Sequence, residues 1–154
     1  MPDASLLTDD VRATIGRASE PVTARITRRM AQKAMDLYLG HHDRPLVEGG
    51  PVPGVILVAL QAEGEQVESP DLMPNSVLIS NEMQFERQLL LGEELTIQSR
   101  IADISERFGG RFGYSLYLRT EVEFRDAAGA VAARTVQTLM YYDAASARAD
   151  GGEP

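Results

Sequence analysis

The residues of this chain best suited to proton transfer sit together in one loop, at His41, His42 and Asp43. Imidazole titrates near neutral pH and a neighbouring carboxylate can orient it, so this group suits general acid and base work. The plain alternative is a solvated loop, because adjacent side chains in a segment rich in glycine and proline often diverge. Glu48, a few residues on, is a second isolated carboxylate. Gly54 and Val55 open an apolar stretch, and the first amides of a helix have no intrahelical partner, so these two can bind a carbonyl oxygen or be capped by water or protein. Two cationic groups, Arg28, Arg29 and Lys33 in one place and Arg107 and Arg111 in another, suit the phosphates of a small ligand or plain solvation. With no cysteine in the chain, disulfides, thiolate catalysis and thiolate-bound metals are excluded, and two histidines alone make no metal site. No cofactor is expected.

These groups need elements to hold them. A chain of 154 residues with 44% hydrophobic and 25% charged residues fits one globular domain, expected over residues 1–145, with a small polar tail at 146–154 expected to be disordered. A net charge of −8 argues against a nucleic-acid groove, and the longest apolar run, Val55 to Leu60, is too short to span a bilayer. The polar, acidic start shows no secretory pattern, and a cytoplasmic location is the expectation. Leu6, Leu7, Val11 and Ile15 are spaced for a short helix capped by Thr8 or Asp9 and stopped by Gly16. Pro21 to Ile26 alternates as a strand, and Thr27 can cap a helix from Arg28 to Leu39 whose apolar stripe is Met30, Ala34, Leu37 and Tyr38.

The segment GHHDRPLVEGGPVP, Gly40 to Pro53, contains three prolines and three glycines and must be a loop. It leads into PGVILVALQAEG, which reads as a helix from Pro53 to Glu63, apolar nearly all round and therefore enclosed by protein on most sides. Four strands follow. Ser76 to Arg87 carries Val77, Ile79, Met83 and Phe85 on one face, and Leu95, Ile97 and Ile101 alternate in the next strand, which runs to about Glu106. Leu116, Leu118, Val122 and Phe124 alternate in Tyr114 to Arg125, after an FGGRFG turn that opens no helix and so is no dinucleotide fingerprint. The last strand spans Ala130 to Tyr142, with Tyr141 and Tyr142 on opposite faces, and a small polar tail begins at Ala144. Helices segregated from an antiparallel sheet give an α+β class, with the sheet curled around the one apolar helix.

This order resembles the hot-dog fold. The opening IGRASEPVT at Ile15 to Thr23, GGPVPGVILVAL at Gly49 to Leu60, MQFERQLLLGEELTI at Met83 to Ile97 and DAAGAVAARTVQTLMYY at Asp126 to Tyr142 resemble the FAS1-like dehydratase branch of the MaoC-like hydratase and dehydratase family, over about residues 6 to 143. The resemblance implies water addition to, or removal from, an acyl thioester. In that family an Asp-x-Asn-Pro-x-His pattern before the buried helix holds the water, and backbone amides at the helix start, here Gly54 and Val55, polarise the thioester carbonyl. Aligned without gaps on Pro45, His42 stands where the family has aspartate, Arg44 where it has asparagine and Val47 where it has histidine. Valine transfers no proton, so the resemblance implies a degenerate subunit whose partner supplies the dyad, with His41, His42 and Asp43 as a displaced catalytic group if the chain acts alone.

Three alternatives remain: a lone hydratase, a hot-dog acyl-CoA thioesterase, or a non-enzymatic acyl-CoA-binding module. The expected ligand is an acyl-CoA thioester, its phosphates met by Arg28, Arg29 and Lys33, because an acidic carrier protein is repelled by a chain of charge −8. The expected partner is a second hot-dog subunit, identical or homologous, with no nucleic acid and no membrane.

Overall fold

A computed structural model describes residues 4–40 and 45–146. Thr8 caps α1 (Asp9–Arg12) by accepting from the Val11 amide, and Gly16, with φ +92°, turns the chain away. Strand β1 (Val22–Arg25) follows, and Thr27 then caps α2 (Arg28–Tyr38) by accepting from the Met30 amide. After the glycine-proline loop comes α3 (Ile56–Glu63), then β2 (Asn75–Phe85), β3 (Glu94–Arg107), β4 (Ser115–Arg125) and β5 (Val131–Tyr142). The strands form one antiparallel sheet in the order β1-β3-β4-β5-β2. Helix α3 lies on its inner face, where Ile56, Leu57 and Leu60 are fully buried in one cluster with Leu95, Ile97, Val122 and Phe124. Each such side chain contributes about 1.5–3 kcal/mol of burial. A second cluster, around Leu7, Val67, Ile104, Leu116 and Leu118, roofs the other end of the same face.

Four expectations need correction. Helix α3 begins at Ile56 rather than Pro53, because residues 53–55 form a tighter turn with bonds from Ile56 to Pro53 and from Leu57 to Gly54. It is also less enclosed than its composition implies, with Val58 and Ala59 half-buried and Ala62 and Glu63 exposed. Helix α2 turns Ala31, Ala34 and Met35 to the core, which leaves Leu37 and Tyr38 of the expected stripe exposed. In β2 the register slips between Leu78 and Ser80, a bulge that adds one residue and exchanges the faces. Val77 therefore pairs with Met140 on the outer side, whereas Met83 packs on the inner cluster opposite Thr135.

The outer face is charged. Arg134 reaches Glu86, Glu121 and Glu123, while Arg100 bonds Glu121 and Arg125 bonds Glu123. Tyr141 packs on the second inner cluster and Tyr142 meets the Phe112 ring at 5.0 Å. Where the polar tail was expected, Asp143 accepts from the Ala145 amide and the Ser146 hydroxyl, and residues 147–154 lie outside the described residues.

Candidate functional site

The start of α3 is positioned by stitching the glycine-proline loop to the chain ahead of β3. Gly49 donates to Leu91, Leu91 to Gly50, and Val52 to Leu89, at 2.9, 2.8 and 3.0 Å. The Gln88 side-chain amide adds a bond of 3.0 Å to the Val52 carbonyl. Gly54 then passes under the Phe85 ring so closely that a Cβ there would lie 2.7 Å from Cζ. Because the first bonds of α3 run back to Pro53, Gly54 and Val55, the amides of Gly54 and Val55 donate to no described residue. Gly54 lines a groove of about 310 Å³ together with Val52, Phe85, Arg87, Gln88 and Leu89. Arg87 is held there by a two-pronged contact to Glu93, 2.7 and 3.0 Å, which raises its already high pKa, so it stays a fixed cation.

A second groove of about 330 Å³ adjoins the first through Gln88 and is lined by Pro45, Val47 and Pro51. Val47 is 63% exposed in it. The candidate acid/base residues His41, His42 and Asp43, with Arg44, lie outside the described residues. The Glu48 carboxylate sits against Gly92, whose φ of +90° and missing Cβ leave room for it. Of the cationic candidates, Arg28 donates to the Leu46 carbonyl at 2.6 Å and ties the loop to α2. Arg29 and Lys33 line another groove, about 440 Å³, between α2 and the uncovered side of α3, with Leu37, Tyr38, Val58 and Ala59. Arg107 and Arg111 lie over the rings of Tyr117 and Phe112, at 4.8 and 5.8 Å. The described residues contain no cluster of three His, Asp or Glu side chains able to hold a metal ion.

A polar feature on the inner face escaped the sequence reading. Beyond the middle of α3, a cavity of about 160 Å³ is lined by Gln61, Ser99, Thr120 and Gln137 among Ile97, Val122 and Leu139. The buried Thr135 hydroxyl donates to Gln61 Oε1 at 2.9 Å, and Ser99 Oγ is occupied by the Val67 amide and the Glu65 carbonyl. Its signal was in the alternation itself: Thr120 and Ser99 each interrupt a run of apolar inward positions.

An antiparallel sheet folded over one apolar helix defines a hot-dog domain. The family model of the FAS1-like dehydratase domain region matches residues 13–135, and the chain belongs to that family. Among solved structures, the fold is shared with the ChsH1-ChsH2 complex from Mycobacterium tuberculosis, at 14% identity and TM-score 0.65, covering 86% of this chain and 87% of that one. The C-terminally truncated HadBC complex of the same organism, a 3R-hydroxyacyl-ACP dehydratase, matches at 14% identity and TM-score 0.61, covering 82% and 96%. The R-hydratase PhaJ1 from Pseudomonas aeruginosa matches at 14% identity and TM-score 0.54, covering 84% and 82%. No curated protein sequence matches the chain.

Proposed function

We infer that this chain is the catalytically degenerate subunit of an acyl-thioester hydratase or dehydratase, paired with a second hot-dog chain that brings the Asp/His dyad. The observation that carries this reading is Val47. It lines the groove beside the α3 start with Pro45, Pro51 and Gln88, none of them titratable, and the alignment on Pro45 sets it against the family's histidine. The free amides of Gly54 and Val55 supply the other half of the chemistry, polarising a thioester carbonyl as it gains enolate character. Arg29 and Lys33 are the residues assigned to the phosphates of an acyl-CoA. Arg28 is the third member of that group, with one nitrogen already given to Leu46.

Pairing is assigned to the β2 edge, where Val77, Leu78 and Ile79 are 42, 51 and 48% exposed and the free edge is eleven residues long. Two of the structural neighbours are named as two-component complexes, HadBC and ChsH1-ChsH2, which supports a pair here. The test follows crotonyl-CoA and longer enoyl-CoAs by the conjugated-thioester absorbance and by a thiol reagent, with the chain alone and with a co-purifying hot-dog partner. The chain alone should leave the absorbance unchanged, and the pair should deplete it without free thiol. Hydration by the isolated chain would instead place the acid/base group at His41, His42 and Asp43. Release of thiol would make the protein a thioesterase.

A further inference from the structure

We propose that the cavity beside Gln61 binds an uncharged oxygen function, a hydroxyl or a ketone, carried on the acyl portion of the substrate; this rests on the acyl-thioester reading above. The helix-facing side of a sheet is normally apolar, so half-buried polar side chains on it mark a place that water or a ligand reaches. In this chain Thr120 and Gln137 stand opposite each other on adjacent strands, on that side, and Gln61 reaches the same cavity from α3. Gln61 Oε1 is taken by the Thr135 hydroxyl, which fixes the amide and turns its Nε2 donors away from that bond. Nε2 of Gln61, the Gln137 carboxamide and the Thr120 hydroxyl have no partner among the described residues. Neither Lys nor Arg lines the cavity, and the one ionisable lining residue is Glu65, so a carboxylate or phosphate is disfavoured and a neutral acceptor is matched. Ile97, Val122 and Leu139 supply the apolar walls that a carbon skeleton needs.

Gln61 lies seven residues beyond Gly54, about 10 Å along a helix axis at 1.5 Å per residue. An extended 8-hydroxyoctanoyl chain sets its hydroxyl about that far from its thioester. The experiment measures binding of octanoyl-CoA, 8-hydroxyoctanoyl-CoA and free coenzyme A to the full chain by calorimetry. In parallel, cyclohexanone and methylenecyclohexane are titrated while the Gln61 and Gln137 side-chain amide resonances are followed. The hydroxylated thioester should bind about tenfold tighter than the plain one, the worth of one net hydrogen bond. Gln137→Leu and Thr120→Val should each shrink that preference while keeping octanoyl-CoA affinity. Gln61→Leu orphans the Thr135 hydroxyl, so it is interpreted only beside those two. Cyclohexanone should shift both amides saturably and methylenecyclohexane should not. Equal affinity for the two thioesters, with amides indifferent to both fragments, overturns the proposal. If neither thioester binds better than coenzyme A while cyclohexanone still shifts the amides, the cavity assignment survives and the thioester reading falls.

Discussion

Gly54→Ala probes the contact that shapes the candidate carbonyl site. The added Cβ would lie 2.7 Å from Phe85 Cζ and 3.2 and 3.3 Å from the flanking ring carbons. Carbon pairs rest at about 3.5–4.0 Å, so the ring must withdraw by roughly 1 Å. Overpacking a tight site costs about 1–3 kcal/mol, and Phe85 is 45% exposed on an edge strand, which places the cost near the lower end, about 1 kcal/mol. Gly54 is not among the glycines with positive φ, so alanine meets no backbone strain there. Once the ring is removed by Phe85→Ala, Gly54→Ala should become stabilising by about 0.5 kcal/mol, through the lower entropy of the unfolded chain. The substitution thus changes sign between backgrounds, a coupling of about 1.5 kcal/mol. For 154 residues, an unfolding entropy of about 2.1 cal/mol/K per residue makes 1 kcal/mol worth about 3 °C. Thermal unfolding of all four proteins at one fixed concentration reads the cycle. Equal shifts for Gly54→Ala in both backgrounds would refute the ring contact as the reason for glycine.

Three further outcomes are expected. Ser5 and Tyr114 both donate to Glu106 Oε2 at 2.6 Å and hold its carboxyl below the ordinary value. A depressed folded pKa stabilises above the unfolded value, about 4.3, and that contribution is lost as pH falls through the lower folded value. Protection of the Leu6 amide, which donates to Tyr114 Oη, measured against the intrinsic exchange rate at each pH, should therefore fall below about pH 4, and Glu106→Gln should abolish this acid dependence. Arg29→Glu with Lys33→Glu should weaken acyl-CoA binding by about tenfold at low salt and much less at 0.5 M salt, where screening is short-ranged; a salt-independent loss counts against phosphate contact. Leu78→Lys with Ile79→Lys on the β2 edge should shift sedimentation from dimer to monomer without loss of β-sheet circular dichroism, and an unchanged dimer moves the interface elsewhere.

Local chemistry made much of the fold legible. Thr27 announced α2 because a hydroxyl before a run of helix formers can take the Met30 amide, and it does so at 3.1 Å. The inward positions of β3 and β4 followed from period-two alternation, and the antiparallel pairing of β3, β4 and β5 from the short connections between them, whereas the short link from β2 to β3 joins strands that are not neighbours. The face of β2 was hidden because the bulge between Leu78 and Ser80 depends on pairing with β5, which no spacing within β2 reveals. The burial of α2 misled for a related reason: Leu37 and Tyr38 satisfy helical periodicity, but the core contact is made by Ala31, Ala34 and Met35. For the site, the assignment of Val47 to the family's histidine position rests on Pro45 alone as an anchor. The meeting of Gln61 with Thr120 and Gln137 required three elements distant in sequence to converge, so each looked like an isolated polar residue.

The two borders of the sheet are unequal, and this sets a valence. One border, β2, runs eleven residues and carries apolar side chains; the other, β1, runs four and is bounded by Pro21 and by the cap of α2. The outer face carries the ion pairs from Arg100 to Arg134 across its middle, and that charged band is stable in water and opposes the stacking of a second sheet. A sheet able to join at one border only, through a two-fold contact, is saturated by a single partner. Growth into fibres requires two such borders on each copy. In the pair proposed above, the same asymmetry that leaves β2 open would terminate assembly at two chains, and a variant that lengthened or bared β1 would be the one to polymerise.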